Sequence, residues 1–315
     1  MSQVVDLDQK HPGAASIGTQ IAAHVNSVVL DSQRTIRVAT AALLAGGHVL
    51  LDDVPGVGKT SMAHAFAQCI GGSFQRIQGA VDLMPSDIAG SMIYNPQTGE
   101  WSVKEGPVFA NVVLVDEVGY LPSRAQSALL EVMEEGQASI DGHPRPLPTP
   151  NWVISTRNPT NQGGYPLMPA ILDRFAVVLS LGYPDAAAEI ELVRSPIRSA
   201  SDQVSPVCST HQLERAQREC ERVELGELVA QYIVAICRAT RTVASVALGA
   251  SPRAAVTLAS MARAWAVMDN RDYVVPDDIQ DLAPDVLAHR LVGDVDACQV
   301  IHDVLQAVPV PVGRR

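Results

Sequence analysis

Short apolar runs bounded by polar or turn residues recur between Val49 and Leu179. They are Val49-Leu50-Leu51, Phe74-Gln75-Arg76-Ile77, Val112-Val113-Leu114-Val115, Trp152-Val153-Ile154-Ser155 and Ala176-Val177-Val178-Leu179. Runs this short and continuous predict strands buried on both faces of a parallel sheet. Helical periodicity lies between several of them. Ala125, Ala128, Leu129, Val132 and Met133 share one helical face that Gly136 ends. A further helix over Gln33–Ala45 stops at Gly46-Gly47. The alternation predicts an α/β domain whose parallel sheet is sandwiched by helices.

The pattern changes after Tyr183-Pro184. Arg194 to Pro206 is rich in Ser and Pro and reads as a linker, and beyond it the strand signals stop. Leu225, Leu228, Val229, Tyr232, Ile233, Ile236 and Cys237 form a helical stripe. Ser251-Pro252 is an N-cap followed by Pro at the first helical position, and another helix starts after Pro276-Asp277-Asp278. The predicted organisation is a polar arm over residues 1–19, an α/β domain over 20–185, a linker over 186–206 and a smaller all-α domain over 207–315. Two hairpins are predicted within the α/β part. Ser91–Lys104 turns near Pro96-Gln97-Thr98-Gly99, and Gln137–Pro150 turns at Asp141-Gly142, a strong hairpin signal.

Composition narrows the class. Hydrophobic residues make up 47% of the 315 and charged residues 18%, which suits a globular chain. The net charge of -11 repels phosphate backbones and argues against a nucleic-acid partner. Five scattered cysteines without a C-x-x-C pair fit a reducing compartment. No signal peptide or bilayer-length apolar stretch is evident, so a cytoplasmic protein without membrane insertion is expected.

The chemistry starts at Asp53-Val54-Pro55-Gly56-Val57-Gly58-Lys59-Thr60, which follows the first predicted strand and opens a helix. Glycines there let backbone N–H groups close around phosphates at a helix N-terminus. Pro55, Gly56, Val57, Gly58, Lys59, Thr60 and Ser61 are the candidate ATP-binding residues. Lys59 would meet the β- and γ-phosphates, and Thr60 with Asp116 would hold Mg²⁺. Asp53 stands where the phosphate-loop pattern has its first glycine. Asp116 and Glu117 close the run Val112–Val115 at a strand's C-terminal end, where open α/β sheets bind ligands. Glu117 is the candidate for polarising the attacking water.

With these motifs in place the chain resembles the AAA+ ATPases, and among them the MoxR type of the helix-two-insert clade, similar to magnesium-chelatase-like proteins. The resemblance runs from about Gly46 to Arg290 through Gly46–Leu51, Asp82–Ile88, Gly106–Asn111, Gln126–Glu135, Asn158-Pro159, Leu172–Phe175 and Gly249–Ala254. It implies a sensor-one role for Asn158, an arginine finger at Arg174 presented to a neighbouring subunit, and a sensor-two role for Arg253. It also implies a homo-oligomer, expected to be a hexamer, hairpins facing the ring centre, and a protein client, with a von Willebrand factor A domain protein as the usual partner. Two departures stand out. Val118-Gly119-Tyr120 replaces the usual Ile-Asn-Arg, with Arg124 as a possible substitute, and Arg157 replaces Gln before Asn158.

The reading is an ATPase that remodels or matures partner proteins. A nucleic-acid motor, a chelatase-type subunit and an ATP-gated scaffold with little turnover remain as alternatives. DNA-independent ATPase activity argues against the first of these, and a single-turnover assay separates an engine from a scaffold.

Overall fold

The computed structural model describes residues 13–29, 31–159, 164–194 and 206–311. In chain order its helices are α1 (Ala14–Asn26), α2 (Gln33–Leu44), α3 (Lys59–Cys69), α4 (Pro85–Ala89), α5 (Ser123–Glu135), α6 (Pro169–Leu172), α7 (Ala186–Arg194), α8 (Thr210–Glu221), α9 (Glu227–Thr240), α10 (Pro252–Met268), α11 (Pro276–Leu287) and α12 (Ala297–Ala307). The strands are β1 (His48–Asp52), β2 (Phe74–Gln78), β3 (Gly90–Asn95), β4 (Glu100–Glu105), β5 (Val112–Asp116), β6 (Gln137–Ile140), β7 (His143–Pro146), β8 (Trp152–Arg157), β9 (Phe175–Leu179), β10 (Val246–Leu248) and β11 (Val292–Gly293).

The five predicted strands form one parallel sheet in the order β2-β5-β8-β1-β9. Alternate side chains go to opposite faces, as the pleat requires. Val49, Leu51, Val112, Leu114 and Ile154 pack with α1–α3 and the C-terminal helices, whereas Leu50, Val113, Val115 and Val153 pack with α4–α6. The sheet is therefore buried on both sides, except at its β2 edge. There Gln75, Arg76 and Gln78 are exposed, so this strand is not the doubly buried one the sequence suggests.

Both hairpins form antiparallel pairs at the expected turns. Asp141 and Gly142 adopt positive φ at the second tip. The Asp141 carboxylate accepts the Met92 N–H at 3.1 Å, which ties that tip to β3.

Three expectations are corrected. An arm reaching residue 19 is excluded because Ala14–Asn26 is helical and buries Ile17, Ile21 and Val25 in the core; residues 1–12 of that arm lie outside the described residues. Residues 186–194 of the expected linker form α7, and 195–205 lie outside the described residues. The C-terminal region is not purely helical, since β10 and β11 pair antiparallel beside its helices. The Ser251 cap does form as expected: its hydroxyl accepts the Ala254 N–H, with Pro252 opening α10.

Candidate active site

Beyond Asp52 the chain turns through the glycine-rich loop into α3. Gly56 and Gly58 have φ of +87° and +97°, a left-handed conformation that costs glycine little. A Cβ added at Gly56 would meet nothing within 4 Å, so the backbone angle and not crowding is what demands glycine there. The first N–H groups of α3 have no partner within the helix and face this loop as a ready anion site. Lys59 Nζ donates to the carbonyl oxygens of Asp53 at 2.7 Å and Val54 at 2.8 Å. Burial lowers the Lys59 pKa, while the fields of Asp53, Asp116, Asp52 and Glu117 oppose that shift.

Asp53 is buried and does not replace the missing glycine passively. Its carboxylate accepts the N–H groups of Val54, Leu181 and Gly182 at 3.0, 2.5 and 3.0 Å, and the Ser180 hydroxyl at 3.2 Å. The start of the loop is thereby tied to the turn that follows β9.

Asp116 and Glu117 lie at the C-terminal end of β5, one strand removed from β1. The Thr156 hydroxyl serves both residues. It donates to Asp116 Oδ1 at 3.1 Å and accepts the Glu117 N–H at 2.9 Å. Glu117 has φ of 53°, so the chain turns sharply there. Gly79 makes room for the turn: a Cβ on it would come within 2.2 Å of the Glu117 carbonyl oxygen. The other Asp116 oxygen is held by Arg76, whose Nε lies 2.6 Å from Oδ2. Asn158 follows β8, and with Glu117, Tyr120 and Arg157 it lines a cleft of about 510 Å³. A set of outward N–H groups, one ammonium, the Thr60 hydroxyl and a fixed carboxylate fits a nucleotide with a hard divalent cation.

The two remaining candidates stand elsewhere. Arg174 precedes β9, where Phe175 pairs with His48 at the opening of β1, and Arg174 shares a cavity with His48 and Arg253. The four residue steps of β1 at ~3.3 Å each separate that edge from the phosphate loop by about 13 Å. Arg174 contacts Glu134 Oε1 directly, and Arg253 reaches the same oxygen at 3.3 Å and Asp173 at 3.3 Å. The Arg174 Nε is buried without a hydrogen-bond partner. The structure thus groups Lys59, Asp116, Glu117 and Asn158 at the sheet's C-terminal edge, and Arg174 with Arg253 at its N-terminal edge.

Comparison with known proteins agrees with this architecture. Residues 48–177 match the ATPase family associated with various cellular activities, and residues 238–306 match the AAA lid domain. A Bacillus subtilis protein named YeaC, described as uncharacterized, is 42% identical over 92% of this chain and 94% of its own length. The chaperone MoxR1 of Mycobacterium tuberculosis is 38% identical over 91% of this chain and 80% of its own. This chain belongs to the MoxR family of AAA+ ATPases. A crystal structure from Cytophaga hutchinsonii, assigned as an ATPase, superposes with a TM-score of 0.86 at 35% identity, covering 95% of this chain and 96% of that one.

One of the two departures from the usual MoxR pattern has a local explanation. Arg157 Nε donates to Asp52 Oδ1 at 3.0 Å and its Nη2 contacts Oδ2, a fork that joins β8 to β1 just before the phosphate loop. Those bonds raise the Arg157 pKa. At the other departure, the Gly119 carbonyl accepts the Tyr165 N–H at 2.6 Å, and a Cβ on Gly164 would lie 2.5 Å from that oxygen. That contact requires a glycine at 164, whereas a Cβ on Gly119 itself would meet nothing within 4 Å, so crowding does not explain the loss of the usual Asn there. Arg124 is exposed in the first turn of α5.

Arg76 and Thr156 contact Asp116, yet the sequence reading does not single them out. A charge inside a run taken for a doubly buried strand was the available signal for Arg76, since burial of an unpaired guanidinium is unfavourable. Thr156 gives no comparable signal, because threonine is ordinary in a strand.

Proposed function

We propose that this MoxR-family protein hydrolyses ATP in a homo-oligomeric ring and uses the cycle to remodel partner proteins. The observation that carries the reading is the polarity of the sheet: loop, acids and sensor at one edge, paired arginines at the other. Lys59 and the N–H groups of the loop hold the triphosphate. Thr60 and Asp116 would hold Mg²⁺, which when bound neutralises phosphate oxygens. Glu117 orients and polarises the attacking water, and Asn158 helps fix it against the γ-phosphate.

Arg174 and Arg253 lie far from their own loop, so they serve the site of a neighbouring subunit. A guanidinium supplied across an interface is worth ~10³–10⁵ in rate in comparable phosphoryl transfers. A finger presented this way requires assembly, and a hexamer is the expected size. The name of the MoxR1 relative supports a chaperone role. The client is a protein, with a von Willebrand factor A domain protein as the leading partner, and action in the cytoplasm fits the scattered thiols. Among the described residues no helix is long and apolar enough to cross a membrane.

Two variants test the site. Lys59→Ala abolishes nucleotide binding, whereas Glu117→Gln binds ATP and lowers turnover by at least two orders of magnitude. Calorimetric binding and steady-state phosphate release distinguish them, and near-normal turnover in Glu117→Gln refutes the assignment.

A further inference from the structure

Glu134 is the meeting point of both arginines, and it belongs to neither the phosphate loop nor the cleft. One of its oxygens receives Arg174 and Arg253 together. It is the penultimate residue of α5, and Gly136, in the left-handed conformation, leads directly into β6. Neighbouring carboxylates on the same helix end hold the hairpin. Glu131 accepts the Ser139 hydroxyl at 2.7 Å, and Glu135 accepts the Gln137 amide at 2.8 Å. At the far end of the hairpin, Asp141 holds β3 through the Met92 N–H.

We infer that Glu134 is a positioning residue that reports a neighbour's nucleotide to this subunit's own β6–β7 hairpin. The inference rests on Arg174 and Arg253 acting across the subunit interface. A γ-phosphate presented there carries more charge than one carboxylate and competes with Glu134 for both guanidiniums. Glu134 thus has two arrangements: engaged when no triphosphate faces it, and released when one does. Because α5 ends at the hairpin, the two arrangements give β6–β7 and the attached β3 different contacts. A ligand needs such a difference to shift a conformational equilibrium. The hairpin would then respond to the adjacent subunit's site as well as to its own Glu117, which precedes α5 in the chain.

The test uses mixed oligomers. One subunit carries Lys59→Ala, so it binds no nucleotide, and a fluorophore on His143→Cys at the exposed hairpin. Cys298→Ser removes the one exposed thiol among the described cysteines, the other four being buried. The second subunit is unlabelled Arg174→Ala with an intact loop. Only the second binds ATP, and only the first supplies the finger. The expected result is recovery of ATPase activity on mixing, together with an ATP-dependent fluorescence change on the labelled hairpin. Adding Glu134→Gln to the labelled subunit abolishes that change while recovery stays within about twofold, and Glu134→Asp restores part of the change. A fluorescence response that is absent with Glu134 intact, or unaltered in Glu134→Gln, overturns the relay while recovery persists. Loss of recovery in Glu134→Gln also overturns it, by making Glu134 a holder of the finger alone. Absence of recovery with Glu134 intact is a separate failure, that of the reading across the interface, and the relay falls with it.

Discussion

The carboxylate of Asp53 and the backbone N–H of Leu181 sit 2.5 Å apart, joining the entrance of the phosphate loop to the exit of β9. Replacing Asp53 with Ala orphans the Leu181 and Gly182 N–H groups, and a buried donor left unpaired costs about 1–3 kcal/mol. Asp53→Ala is expected to lower stability by that amount and to weaken ADP binding several-fold, because Lys59 is anchored on the Asp53 and Val54 carbonyls. Asp53→Asn recovers part of both losses. Denaturant unfolding with and without ADP measures the two effects, and unchanged ADP affinity in Asp53→Ala would separate the tie from the loop.

Arg76 grips the Asp116 oxygen that does not receive Thr156. A guanidinium there would compete with a water on the proposed Mg²⁺ for the same lone pairs. Arg76→Ala should therefore reduce the Mg²⁺ concentration needed for half-maximal turnover, by roughly threefold to tenfold. Its effect on stability should stay within about 1 kcal/mol, since the arginine is half exposed. Titrating Mg²⁺ at saturating ATP gives the first quantity and urea unfolding the second.

His48 supplies a pH dependence. Its Nδ1 accepts the Val153 N–H at 3.0 Å, and its Nε2–H donates to the Met133 carbonyl at 3.3 Å. Burial lowers its pKa from 6.5 to about 4. The folded state therefore binds this proton less readily than the unfolded chain. The resulting stability is full above pH 6.5 and is lost as the pH falls toward 4. Gln keeps one donor and one acceptor without titrating. Relative to His48→Gln, the wild type should lose stability on acidification with an extra slope of up to about 1.4 kcal/mol per pH unit. Unfolding midpoints measured between pH 7 and pH 5 on both proteins test this, and parallel curves would contradict it.

Much of this architecture is legible in the sequence because its signals are local. The five apolar runs become the five strands, and Ser251-Pro252 and Pro276 start α10 and α11. The phosphate loop announces itself through Gly56, Gly58 and Lys59, whose backbone demands are met within a few residues. What escapes depends on contacts between distant segments. Asp53 looks like a lost glycine until Leu181 and Gly182, more than a hundred residues later, are brought beside it. Arg76 looks like an interruption in a buried strand until β2 proves to be the sheet's edge. Residues 14–19 are read as part of an arm because their small and polar side chains carry a weak apolar signal, yet they open α1, which Ile17, Ile21 and Val25 seat in the core. The separation of Arg253 from its own loop is likewise invisible in one dimension, because it follows from how α10 crosses the end of β9.

On the proposed reading, a protomer with its phosphate loop at one edge of a parallel sheet and its arginines at the other can repeat head to tail, each copy's arginines finishing the next copy's site. A twofold pair could finish both of its sites within one self-complementary interface, but it would have no arginines left to offer a third copy, so a ring or a spiral needs the head-to-tail contact. In a closed ring the number of complete sites equals the number of subunits, whatever that number is. In an open spiral it is smaller by one: the subunit at one end keeps a loop that no arginine reaches, and the subunit at the other keeps an arginine pair with no phosphate to meet.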